Sequence, residues 1–225
     1  MATATIGVSQ IESIRSGFFS TWLGARNAAS GTINTQPYSE DVQIYYVSGA
    51  RGVNYQVSRI FAIWDTSAYA GSITACDIEL DSLGQGGNVL DVIPIESGAY
   101  GGLPAGPLSP SDFSFINYAQ TYSTATSWAG IGPISFTGNV NLTALANSGI
   151  VNICFVDQTY DLNNVDPFGG FSSDDWSDVS NSLVRNILRI TYTSGYTHTI
   201  NGVPGADIGS MNGVSSGDLG TVNGV

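Results

Sequence analysis

Apolar side chains recur at every second residue in one short stretch after another, with Gly, Pro, Asn and Ser between the stretches. That period suits strands with one face buried, and it restricts the chain to β-structure more than any other feature does. Val42, Ile44 and Tyr46 alternate with polar or exposed positions, and Tyr55, Val57, Phe61 and Ile63 share a face. Ile134, Phe136, Val140 and Leu142 form a third set across Gly138. Val184, Leu188, Ile190 and Tyr192 define a late core strand, with Arg185 and Arg189 directed the other way. Residues 89–95 and 150–156 are apolar on both faces, as in strands from the middle of a sheet covered on both sides.

Helix is scarce. The pattern predicts one short turn at 143–147, stopped by Gly149. A second falls over 11–22, where Ile11, Ile14, Phe18 and Trp22 have helical spacing. Many short strands together with 28 glycines predict an all-β fold, an antiparallel β-sandwich of jelly-roll type. A chain of 225 residues suits one such core. It buries roughly 70–75% of its unfolded surface and needs neither disulfide nor metal to fold. The expected division is an N-terminal arm at 1–20, a sandwich at 21–195 and a tail at 196–225. Cys76 and Cys154 both fall in apolar strand-like runs and read as two buried free thiols.

Charge limits the partners. The chain carries 18 acidic residues against 6 basic ones, all arginine and scattered along the sequence. Nucleic acid binding draws on clustered Lys and Arg, so no nucleic acid partner is expected. The first residues lack the basic start and apolar run of a secretory signal, and no apolar run reaches membrane-spanning length. No membrane partner and no export address are expected.

The last thirty residues follow a different rule. Asn201-Gly202-Val203, Asn212-Gly213-Val214 and Asn223-Gly224-Val225 recur at an eleven-residue interval, and Asp207-Ile208-Gly209 returns as Asp218-Leu219-Gly220. Asn-Gly is the strongest short hairpin signal, because both residues tolerate positive φ. Stacked repeats need about three units to stand alone, and this tail has barely more than two. Its expected role is assembly, with its missing neighbours supplied by another subunit.

The tail resembles the Asn-Gly-Val repeats that close structural proteins of tailed bacteriophages. Arg59-Ile60-Phe61-Ala62-Ile63-Trp64-Asp65-Thr66-Ser67, followed by Ile73-Thr74-Ala75-Cys76-Asp77-Ile78-Glu79-Leu80, resembles the strand pair of DNRLRE-type β-sandwich modules. Residues 153–156 and 186–192 look like that family's closing strands, so the likeness spans roughly 20–193. Trp64 departs from the usual Phe, and the segment 100–122 is long, which puts any family ligand site in doubt. The resemblance implies a virion structural protein, whether capsid decoration, head fibre or tail component, with other virion proteins and copies of itself as partners. Its alternative is a receptor- or carbohydrate-binding adhesion module that contacts a host surface glycan.

Little chemistry is written in the chain. His198, the one histidine, sits at the junction with the tail, and no Gly-x-Ser-x-Gly is present. Asp65, Asp77, Glu79, Asp157 and Asp161 could supply paired carboxylates, yet each reads as an ordinary turn or cap residue. Asp157, Asp161, Asn163, Asp166, Asp174, Asp175 and Asp178 form an oxygen-rich stretch whose spacing is not that of a calcium loop. No enzyme activity, cofactor or metal is expected. Tyr118, Tyr122, Trp128, Phe168, Phe171 and Trp176 lie in loop-like stretches, where aromatics anchor either a protein interface or a sugar ring.

Overall fold

A computed structural model describes residues 1–35, 38–49, 52–101, 106–168, 174–193, 210–211 and 214–215. Thirteen strands form one continuous antiparallel network. In chain order they are β1 (Ala2–Gly7), β2 (Gln10–Ser16), β3 (Gly31–Ile33), β4 (Ser39–Gly49), β5 (Gly52–Asp65), β6 (Ile73–Gly86), β7 (Leu90–Ser97), β8 (Ile116–Thr121), β9 (Thr126–Trp128), β10 (Gly132–Thr137), β11 (Ile150–Asp157), β12 (Asp174–Ser180) and β13 (Ile187–Tyr192). Two short helices interrupt them, α1 (Trp22–Arg26) and α2 (Val140–Asn147). The fold is an all-β antiparallel sandwich, as the alternation predicts. No helix among the described residues is long and apolar enough to cross a membrane.

Two 14-residue strands organise the network. β5 pairs with β4 through its first half and β11 through its second, with β2 on the opposite edge. β6 pairs with β13 and then β12 along one edge, with β10 on the other. The β4–β12 pair joins the two halves. Although β5 and β6 follow one another in sequence and carry the motif likened to a strand pair, they do not pair with each other.

The core sits between these groups of strands. Ile60, Ala62, Trp64, Ile78, Leu80, Phe136, Phe155 and Leu188 are buried, and the Phe136 and Phe155 rings lie 5.4 Å apart. β11 runs between β5 and β7 with both faces covered, as its apolar run predicts. Its second face, continued on β5 by Tyr55, Val57 and Phe61, lies under α1 and the 3-10 turn Pro110–Ser114. Asn139 caps α2 by accepting from the amides of Asn141 and Leu142, and Gly149 follows its end at φ +96°. The predicted stop is therefore correct, and the helix begins three residues earlier than the pattern implies.

Three expectations are corrected. Residues 1–20 are not an arm, because β1 pairs with β13 along six residues and β2 pairs with β5. No helix covers 11–22. Gly17 and four serines at 9–20 disfavour it, β2 takes the first half, and α1 starts only at Trp22. Val140 and Val184 lie outside strands and are 81% exposed, and Leu142, also beyond Gly138, is buried from α2 rather than from a strand. The thiols of Cys76 and Cys154 are buried and free, as read from the sequence.

Candidate functional site

Register aligns one row of side chains across five strands. Arg15 on β2 pairs with Ser58 on β5, Ser58 with Gln43 on β4, Gln43 with Trp176 on β12, and Trp176 with Gly86 on β6. Side chains directly opposite one another in a sheet share a face, so these five form one continuous strip. Two residues along, Asp178 stands opposite Asp41. Arg15, Asn34, Ser39, Asp41, Gln43, Trp176 and Asp178 line a cleft of about 380 Å³. Trp176 is half-buried because its indole lies over Gly86, where any Cβ would collide with the ring at Nε1. Glycine at this position is what lets the indole lie on the sheet.

Most of the polar groups in the strip are held by neighbours. Asp41 accepts from Arg15 Nη2 at 3.0 Å and from Ser13 Oγ at 3.3 Å. Glu40, next to it, accepts from the Ser13 amide and hydroxyl at 2.6 and 2.7 Å. Burial pushes Glu40 up to about 7 against the pull of those two bonds, and the Asp41 and Glu12 charges add to the rise. Burial also pushes Asp178 up to about 6, assisted by Asp41 and opposed by Arg15. Two donors in the strip are not satisfied. Arg15 Nε and the wholly buried Ser58 Oγ have no hydrogen-bond partner.

Of the described aromatics singled out from the sequence, only Trp176 lines this opening. Tyr122 and Trp128 belong to the core at 3% and 0% exposure, so neither offers a face to a ligand. Their segments look like loops because β9 is only three residues long. The Tyr118 hydroxyl donates to Asp161 Oδ1 at 2.8 Å and accepts from Arg59 Nη2 at 2.6 Å. Phe168 is exposed and packs edge-on against Tyr46. Phe171, His198, Asn201, Gly202, Val203, Asn212, Gly213, Asn223, Gly224 and Val225 lie outside the described residues. Val214 begins β15 (Val214–Ser215), which pairs antiparallel with β14 (Ser210–Met211).

The acids considered for catalysis or calcium do not converge. Asp65 Oδ1 accepts from the Ser67 amide and hydroxyl in the turn its sequence predicts, and those bonds hold its carboxyl below the usual range. Asp77 accepts from the Gly138 amide, and Glu79 pairs with Arg189. Asp157 caps the π-helical turn Gln158–Leu162 at the Tyr160 amide, and burial pushes it up to about 7. Asp166 accepts from the Phe168 amide, Asp175 from Asn88, and Asp161 is turned inward onto Arg59. Among the described residues no three His, Cys, Asp or Glu side chains gather as a cation would require.

Sequence reasoning missed Arg15, Asn34, Ser39, Asp41 and Gln43, and weighed Asp178 only as part of an acidic stretch. A partial signal existed, since Asp41 and Gln43 alternate with the core residues Val42 and Ile44, and Trp176 and Asp178 share a strand face. What the sequence lacks is the pairing of β4 with β12, whose partners run from Asp174 with Tyr45 to Ser180 with Ser39. No model of a known protein family and no curated protein matches the chain.

Proposed function

We propose that the chain is a non-enzymatic structural module of a virion, a capsid decoration, head fibre or tail component, that assembles through its repeat tail. The observation that supports this most is the β14–β15 pairing. Met211 pairs with Val214 across Asn212-Gly213, in a two-stranded sheet separate from the sandwich. A hairpin of two-residue strands is too small to be stable alone and needs a surface to pack on. The same tripeptide recurs eleven residues to either side, so repeated hairpins presented to a neighbouring subunit would fit the spacing. The arrangement of acids supports a non-enzymatic role. Asp41 is tied to Arg15 and Ser13, which leaves Asp178 as the less engaged carboxylate of the cleft, whereas glycoside hydrolysis takes two working carboxyls. Removing residues 199–225 should abolish oligomer or particle incorporation while leaving the sandwich folded, as read by light scattering and circular dichroism. Unchanged assembly of the shortened chain would refute the anchoring role.

The Trp176 cleft favours a second reading, a receptor- or carbohydrate-binding adhesion module. On a glycan array the intact chain should give hits that disappear in Trp176→Ala. A blank array would leave the structural role alone.

A further inference from the structure

β1 ends the sheet with an open edge. Among the described residues it pairs with β13 alone, in a register that runs unbroken from Ala2 to Gly7. The outward N–H and C=O groups of such an edge are a template for a further strand, and proteins blunt them with short strands, proline, charge or bulges. The other edge strands carry these devices. β3 and β9 have three residues each, β10 contains Pro133, and β8 meets β7 across a register shift. β1 has none of them, being six residues long with no proline and no charged side chain. Its free groups can be assigned. The Val8 amide donates to the Asn186 carbonyl at 2.8 Å, one step beyond the pair of Gly7 with Ile187. Bonded and non-bonded pairs alternate along an antiparallel ladder, so Ala2, Ala4 and Ile6 bond to β13, and the backbone groups of Thr3, Thr5 and Gly7 point outward.

The strand is also complementary to itself. In a register centred on Ala4, a second copy running antiparallel sets Thr3 opposite Thr5 of the partner subunit on the exposed face, and Ala2 opposite Ile6 of the partner subunit on the core face. Threonine pairs and apolar pairs directly across a ladder both stabilise it. Ala4 and Ile6 already pack against the core, so this pairing prolongs the inner apolar layer from one molecule into the next. Charge favours the same partner. A chain of net charge −12 repels its own copies wherever acids face outward, whereas residues 1–11 hold no charged side chain. Beside the edge, Arg189 stands opposite Thr5 and pairs with Glu79, and Arg185 pairs with Asp81. We propose that β1 joins two copies of this chain across a two-fold axis, in one antiparallel sheet that passes from molecule to molecule. This interface is separate from the repeat tail.

The test uses the intact chain. On dilution, light scattering should show the mass halve as the β1 pair dissociates. Hydrogen exchange at the Thr3 and Thr5 amides, which face outward in the single chain, should slow as concentration rises. Thr5→Pro removes an outward donor and keeps every bond to β13, so it should abolish that concentration dependence while the β13 amides stay protected. A variant with Thr3→Lys and Thr5→Lys, and another with Thr3→Glu and Thr5→Glu, should each lose pairing with itself through like charges across the ladder, and the two should regain it when mixed. Thr3 and Thr5 amides that exchange freely at every concentration would overturn the proposal. So would a Thr5→Pro chain that pairs as the parent does, or charge variants that stay apart on mixing. Every variant keeps residues 199–225, so failure here leaves the tail reading standing, and failure of the tail leaves this pairing intact.

Discussion

Arg59 and Asp161, 102 residues apart in sequence, meet in a two-pronged ion pair at 2.7 and 2.8 Å, with both side chains 1% exposed. Both Nη atoms make further hydrogen bonds. Nη1 donates to the Phe113 carbonyl at 2.9 Å and Nη2 to the Arg26 carbonyl at 2.6 Å, and Phe113 lies beneath the plane. Burial, the largest single influence, works to lower the Arg59 pKa, but the Asp161 charge and hydrogen bonds, helped by Tyr118 and Cys154, together outweigh it and raise the value. The pair thus pins α1, the 3-10 turn, β8 and the π-helical turn onto one strand. Asp161→Asn leaves a buried cation without its counter-charge and should cost about 3–5 kcal/mol. Replacing both partners with apolar residues of similar size should cost much less. Denaturant midpoints at unchanged slope measure each loss.

Stability should rise as the solution is acidified from pH 8 to pH 5, the reverse of ordinary acid weakening. Glu40, Asp157 and Asp178 have folded-state values raised to about 7, 7 and 6, so the native state holds protons that the unfolded chain releases. Their stabilising contribution is complete below the unfolded values and is lost as pH climbs through the folded ones. Glu40→Gln mimics the protonated group. It should raise the melting temperature at pH 8 and leave it unchanged near pH 5. A melting temperature that falls steadily on acidification would contradict this account.

Both cysteines should be silent toward a thiol reagent until the protein opens. Burial pushes Cys76 up to about 12 and Cys154 well above its usual value, and the thiolate is the reactive form. The native chain should therefore titrate no thiols over minutes, and the denatured chain two, without prior reduction. Finding fewer than two in the unfolded protein would point to a disulfide.

Gly86→Ala should disturb the cleft more than the fold. The added methyl occupies the place of the Trp176 indole, which is the far end of a side chain and can swing aside. The expected result is altered Trp176 fluorescence with lost ligand response, and a melting temperature close to that of the parent.

How much of this was legible in the sequence depended on distance along the chain. Period-two alternation marked β4, β5, β10 and β13, and an unbroken apolar run marked β11, because a strand's faces are a local property. The helix stop at Gly149 and the Asp65 turn were equally local. Pairing across the sheet is not. Nothing near Asp41 indicates that Asp178 stands opposite it, and nothing near Arg59 indicates Asp161. Arg59 did carry a readable hint, since it shares parity with Val57 and Phe61, and an arginine on a core face requires a buried partner. Trp128 and Tyr122 misled for the opposite reason, because short strands among Ser, Thr and Gly look like loops until their neighbours cover them.

The long strand β6 gives the molecule a direction. At its first residue, Ile73 pairs with Tyr192, the last residue of β13, and at its last residue Gly86 lies beneath Trp176. Thirteen steps of extended backbone separate the two, up to about 40 Å. Trp176 and the end of β13 therefore stand at opposite ends of one strand, as a lamp and a deck stand at the two ends of a mast. The N-terminal strand, with Ala2 beside Tyr192, would lie at the foot. Fusions at the first residue would then crowd the moorings, whereas cargo grafted near Gly86 would face outward.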